Sequence, residues 1–200
     1  MLIQQTGQIV KEWGLKIYKY FIALVTILIL FVSACGSSNQ ISNSDLEEYE
    51  VKKTIDENVQ GDFIFRLVSE KKEYEVGNDV KLYGEITYTG EEEEVTIYHS
   101  SSAILFSLDE KVRGYDIGFA VDDIGLSTVL KQDEPYREEY VKIGVYTEDD
   151  PSDYIKFMEG FVKEDGFPSG YYVVNGETDF TLENQRKVNI KATIDFKVVE

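Results

Sequence analysis

A period of two constrains this chain more than any other feature. Between residues 61 and 200, apolar side chains recur at alternate positions. They run through Phe63, Phe65 and Leu67, then Val80, Leu82, Ile86 and Tyr88 with Gly84 on the same face, then Val95 and Ile97 with His99 on the same face, then Ile104, Phe106 and Leu108. Tyr115, Ile117, Phe119 and Val121 repeat the pattern, as do Val188, Ile190, Ala192, Ile194, Phe196 and Val198. Successive side chains of a strand point to opposite faces, so alternation gives each segment one dry face that another layer must cover. Further strands are expected within residues 126–130 and 136–146, and a pair within 171–182 turning at Asn175-Gly176, a dipeptide suited to tight hairpins. Polar turns such as Gly77-Asn78-Asp79 separate the segments. Seven or more short strands at this spacing predict a mainly β chain with two packed antiparallel sheets.

One stretch breaks the period. Tyr154, Phe157, Met158, Phe161 and Val162 recur at helical spacing, and Gly166 with Pro168 ends the run. Asp150 is the expected N-cap, Pro151 the expected first helical residue, and Asp153 favours the first turn. A single inserted helix is therefore expected at about 151–164, covering an open end or edge of the sandwich.

The first sixty residues have a different character. Lys11, Lys16 and Lys19 precede an uncharged apolar run over residues 20–32, the pattern of an export signal. The run falls short of the roughly 20 residues that a comfortable membrane span needs, which leaves a spanning helix as the alternative. Residues 1–34 are expected to be the signal peptide, 35–60 a flexible tether rich in Ser, Asn, Glu and Lys, and 61–200 the folded domain. Leu15 is a candidate translational start, because the leader from there onward has ordinary proportions. Cys35, the only cysteine, has no partner for an intrachain disulfide, so the fold rests on packing.

Charge and composition exclude several functions. The chain carries a formal charge of −18, and the leader holds three lysines against one glutamate, so the part beyond it is more negative still. Such a surface repels phosphate, which argues against nucleic-acid partners and favours a basic one. His99 is the single histidine, so His-rich metal sites are excluded. A Ser-His-Asp arrangement would have to be built on it, beside Ser100, Ser101 and Ser102, and no Gly-x-Ser-x-Gly elbow is present. His99 is expected as a sheet-edge or surface side chain. The acidic loops at Glu148-Asp149-Asp150 with Asp153, and at Asp122-Asp123, offer calcium-type oxygen ligands, but neither has EF-hand spacing. Helix capping accounts for Asp150 and Asp153 without an ion. No cofactor, metal or catalytic residue is assigned.

Val32-Ser33-Ala34-Cys35, following the basic flank and apolar run, resembles the lipobox of bacterial lipoproteins. That resemblance implies cleavage before Cys35 and lipid on its thiol, hence a protein held at the outer face of the cytoplasmic membrane. The run from Tyr74-Glu75-Val76-Gly77-Asn78-Asp79 to Val80-Lys81-Leu82-Tyr83-Gly84 looks like the opening of immunoglobulin-like domains in uncharacterised Bacillus-type lipoproteins. The fold expected is therefore an immunoglobulin-like antiparallel β-sandwich with one inserted helix. Residues 95–108 and 130–140 are faintly similar to BsuPI-type proteinase inhibitors. Gln132-Asp133-Glu134-Pro135 stands where that family has its Pro-Gly-Glu turn, so no inhibitory loop carries over. Taken together, these features lead to the expectation of a noncatalytic binding or accessory module for a protein, peptide or wall polymer. The alternative is a hydrolase of wall or glycan material using paired carboxylates.

Overall fold

The structure is a computed structural model and describes residues 41–200; the expected signal peptide, Cys35 and residues 35–40 of the expected tether lie outside the described residues. Two sheets face each other. One has the order β1-β2-β4-β8, from β1 (Ile55–Gln60), β2 (Phe63–Ser69), β4 (Leu82–Tyr88) and β8 (Pro135–Glu139). The other has the order β3-β11-β9-β5-β6, from β3 (Glu73–Glu75), β11 (Lys191–Val199), β9 (Gly170–Leu182), β5 (Glu94–Glu110) and β6 (Tyr115–Ile117). Two more strands join it, β7 (Leu126–Lys131) on β5 and β10 (Lys187–Val188) on β9.

The crossings of the chain between the sheets include those from β4 to β5 and from β8 to β9. This places β2, β4 and β8 in the order of the A, B and E strands of an immunoglobulin domain, and β5, β9 and β11 in the order of C, F and G. The expected sandwich is therefore what forms. Its ladders are antiparallel except one, between β3 and the end of β11, which is parallel.

The alternating apolar positions meet between the sheets. Phe63, Phe65, Leu67 and Ile86 from one sheet, and Ile104, Leu108, Val174, Ile194 and Phe196 from the other, are all but completely buried. Two glycines let the sheets approach. A Cβ on Gly84 would lie 3.0 Å from Ile104 Cδ1, and one on Gly176 would lie 2.9 Å from Leu67 Cδ1. Helix α2 (Ser152–Lys163) buries Phe157, Met158 and Phe161 of the predicted stripe, while Val162 is left exposed. Phe161 meets Phe167 edge-on at 4.9 Å, and Phe167 meets Tyr172 at 5.2 Å, which joins the helix to the core.

Several expectations are corrected. Asn175-Gly176 does not turn: β9 runs straight through it, because Gly176 serves the close approach of Leu67. Asp150 does not cap α2. Its carboxylate accepts from Thr147 N at 2.6 Å in the preceding turn, and Pro151 occupies the cap position with no side-chain bond. Phe119 and Val121 do not continue β6; they are exposed beyond its end at Ile117. The segment after β8, through Tyr146, forms no ladder.

Folded structure also begins earlier than residue 61. β1 pairs fully with β2, from Ile55 opposite Val68 to Gln60 opposite Phe63. Before it, the one-turn helix α1 (Asn43–Leu46) buries Leu46, which clusters with Ile41 and Tyr171. Tyr49 stacks on Tyr171 at 4.8 Å. The polar residues that suggested a tether hold this segment in place through hydrogen bonds.

Candidate functional site

A sandwich has two lateral sides where the edges of its sheets meet, and here they differ. On one side β1 faces β11. Asn58 Nδ2 donates to Lys191 O at 2.9 Å, Thr193 N donates to Asp56 Oδ2 at 2.7 Å, and Asp195 N donates to Lys53 O at 2.9 Å. Asp195 in turn accepts from Lys52 N and Lys53 N, both at 2.8 Å, and from Tyr171 OH at 2.5 Å. Burial alone would raise the Asp195 carboxyl, but the Tyr171 hydroxyl, the two amides and the charge of Lys52 outweigh it and hold the group below the usual carboxylate range. Asp56 is lowered in the same sense: burial opposes the shift, while the Thr193 amide and Lys53 dominate.

On the other side β8 ends its sheet, and β5 is only partly covered. β7 pairs with β5 from Glu94 to His99, and β6 pairs from Leu108 to Glu110, so residues 104–107 lie outside both ladders. Between this gap and β8 runs a cleft of about 310 Å³. Its floor includes Ile104 and Phe106, one wall carries Phe119 and Val121, and the other carries Val141 and Ile143. These four wall side chains are among the large apolar groups the molecule exposes, with Val141 at 68%. Contiguous exposed apolar surface of this kind marks an interaction site more often than chance.

Local chemistry shapes the walls. In residues 141–145 the side chains alternate: Val141, Ile143 and Val145 are exposed, while Lys142 and Gly144 face inward. A Cβ on Gly144 would collide with Val162 of α2, so glycine lets the segment lie directly against the helix. Lys142 Nζ donates to the carbonyls of Glu164 and Gly166 at 2.5 and 2.6 Å, turning its charge away from the cleft. Burial lowers its pKa.

The floor is braced by a bulge in β5. From His99 to Ile104 the strand advances five residues while β9 advances two, from Phe180 to Thr178, so Ser100 to Ala103 are thrown out of the ladder. Glu138 on β8 ties this bulge across to the other sheet. It accepts from Ala103 N at 3.0 Å, from Tyr136 OH at 2.8 Å and from Ser102 Oγ. Burial, followed by the bond to Glu138, pushes Tyr136 up to about 12. Ser101 N donates to Asp122 O and Asp122 N to Ser101 Oγ, each at 3.0 Å, fixing the wall that carries Phe119 and Val121.

The residues singled out in the sequence are thus dispersed. His99 is half-buried on β5 between β7 and β9, not at a sheet edge, with Nε2 2.9 Å from Thr128 Oγ1 and Nδ1 2.9 Å from Ser100 O. The three serines beside it build the bulge and bond chiefly to backbone and to Glu138. Among the described residues no three His, Cys, Asp or Glu side chains gather in a metal-holding group. Cys35 lies outside the described residues. The cleft was not foreseen; the available signal was the pair of apolar alternations at Phe119-Val121 and Val141-Ile143-Val145 that lack any strand to pair with.

This fold and cleft define a two-sheet β-sandwich with one lateral side open. No protein-family model matches the chain, and no curated protein matches it. Among the described residues no helix is long and apolar enough to cross a membrane.

Proposed function

We propose that this chain is an exported lipoprotein, cut before Cys35 and held by lipid on that thiol at the outer face of the cytoplasmic membrane. Its sandwich acts there as a noncatalytic binding module, with the open-side cleft as the ligand site. The observation that carries the binding reading is the exposure of Phe119, Val121, Val141 and Ile143 on two facing walls that no strand covers. The export reading rests on the lipobox-like Val32-Ser33-Ala34-Cys35 and the apolar run before it. Two or more acyl chains on one cysteine give durable anchoring, since each buried methylene contributes about 0.8 kcal/mol.

The hydrolase alternative needs two carboxylates available to a substrate. Glu138 and Glu139 are the charged residues lining the cleft. Both oxygens of Glu138 are engaged by Ser102, Ala103 and Tyr136, which suits a brace better than an acid or base.

A photo-crosslinking residue placed at Val141 in cells tests the binding reading. It should capture an envelope partner, while the same residue at Glu92, in the exposed turn between β4 and β5, should not. Equal capture at both positions, or none at either, contradicts it. For the anchor, the wild type should incorporate labelled fatty acid and Cys35→Ala should not. Firm membrane retention of an unlabelled wild type would replace the lipid with a spanning segment.

A further inference from the structure

We infer that the occupant of the cleft is an extended polypeptide segment in which apolar residues alternate with lysine or arginine, bound by adding a strand to the free edge of β8. This rests on the binding reading and names its ligand. Three features lead to it.

The first is an unladdered backbone edge. β8 is the last strand of its sheet and pairs with β4 alone. Tyr140 N donates to Leu82 O, so in the alternating antiparallel pattern Tyr136 and Glu138 also exchange bonds with β4, while the N–H groups of Arg137 and Glu139 point away from it. Such an edge can accept another strand through main-chain bonds.

The second is the repeat of the wall. Val141 and Ile143 line the cleft from alternate positions of an extended segment, so their spacing is about 6.6 Å, twice the rise of a strand residue. An occupant strand with apolar residues at i and i+2 matches this repeat. A compact or branched ligand does not.

The third is charge. Both charged residues lining the cleft are acidic, Glu138 and Glu139, and the neighbouring Lys142 is turned onto carbonyls behind the wall. Arg137 on the same edge is paired with Glu85 at 2.7 Å, so the alternate side chains of a bound strand would point outward beside the carboxylate of Glu139, where lysine and arginine are favoured. The formal charge of −18 sets a second copy of this chain against itself as the occupant.

The probe is a fluorescein-labelled eight-residue peptide of alternating valine and lysine, followed by anisotropy with the full-length protein in neutral detergent. It should bind saturably, and at least tenfold more tightly than its valine–glutamate counterpart. The double variant Val141→Asn with Ile143→Asn should weaken it at least tenfold. N-methylation of every second amide should abolish binding in one phase and be tolerated in the other, because only alternate amides face β8. Equal binding of the glutamate peptide overturns the charge complementarity, and tolerance of N-methylation in both phases overturns strand addition. If Val141 still crosslinks an envelope partner while the valine–lysine peptide fails to bind, or if that partner is a glycan, this inference falls and the binding reading stands. Loss of both removes the binding reading as well.

Discussion

Along the side where β1 meets β11, every second backbone position of β11 finds a partner outside its ladder with β9: Lys191 O in Asn58, Thr193 N in Asp56, and Asp195 N in Lys53 O. Along the side where β5 meets β8, the edge of β8 ends in solvent and the facing walls present valine, isoleucine and phenylalanine. Exposed strand edges invite pairing with other chains, and proteins usually cover them or charge them. Here one side is covered by the chain's own N-terminal segment. The other is left apolar, at the cost of aggregation risk, and a long alternating wall backed by a helix is a costly thing to leave exposed without use. The difference separates a side built for stability from a side built for contact.

Substitutions can break that comparison. Asp195→Ala removes the acceptor of two amides and a tyrosine hydroxyl within a nearly buried site, and should cost about 3 kcal/mol in denaturant unfolding. A cost below about 1 kcal/mol would mean that the closed side contributes little. Gly144→Val forces the 141–145 wall off α2 through its clash with Val162, and should cost about 2 kcal/mol. It should also displace the wall and weaken any ligand of the cleft. If stability drops while ligand affinity is untouched, that wall is not part of the site.

Acid should act on the closed side. Asp195 and Asp56 both have folded pKa values below the ordinary 3.8, so their contribution is complete above the unfolded value and is lost as the pH falls through the folded one. Thermal stability should therefore decline as the pH drops from about 5 to below 3.8, and Asp195→Asn should flatten part of that decline. An unchanged profile in the variant would place the acid sensitivity elsewhere. The smallest stability effect is expected for Ile143→Asn, within about 0.5 kcal/mol, because the side chain is already exposed. A large loss would show that Ile143 is held in the fold rather than offered to a ligand.

What the sequence made legible follows from these two sides. β2, β4, the second half of β5 and β11 alternate over buried positions, and α2 repeats at helical spacing over Phe157, Met158 and Phe161, so pattern alone located them. β1 is hidden because its apolar residues, Ile55 and Val59, are exposed, and the members that bond to β11, Asp56 and Asn58, are polar. Their role is to bond to a backbone edge, which hydrophobic periodicity does not register. The turn chemistry of Asn175-Gly176 makes β9 look like a hairpin in sequence, although the glycine is required by Leu67 across the core. The cleft was hidden for a related reason. Phe119-Val121 and Val141-Ile143-Val145 alternate like core strands, and the sequence does not distinguish a dry face covered by another sheet from one left open.

Amide hydrogen exchange on the full-length protein tests the contrast between the two sides most directly. Thr193, Asp195, Lys52 and Lys53 donate into the closed side, while Arg137 and Glu139 point off the free edge of β8. The closed-side amides should exchange at least about 100-fold more slowly than those of Arg137 and Glu139, with the β8 amides gaining protection only when a ligand occupies the cleft. Fast exchange at Thr193 and Asp195, or strong protection at Arg137 and Glu139 in the free protein, would contradict it.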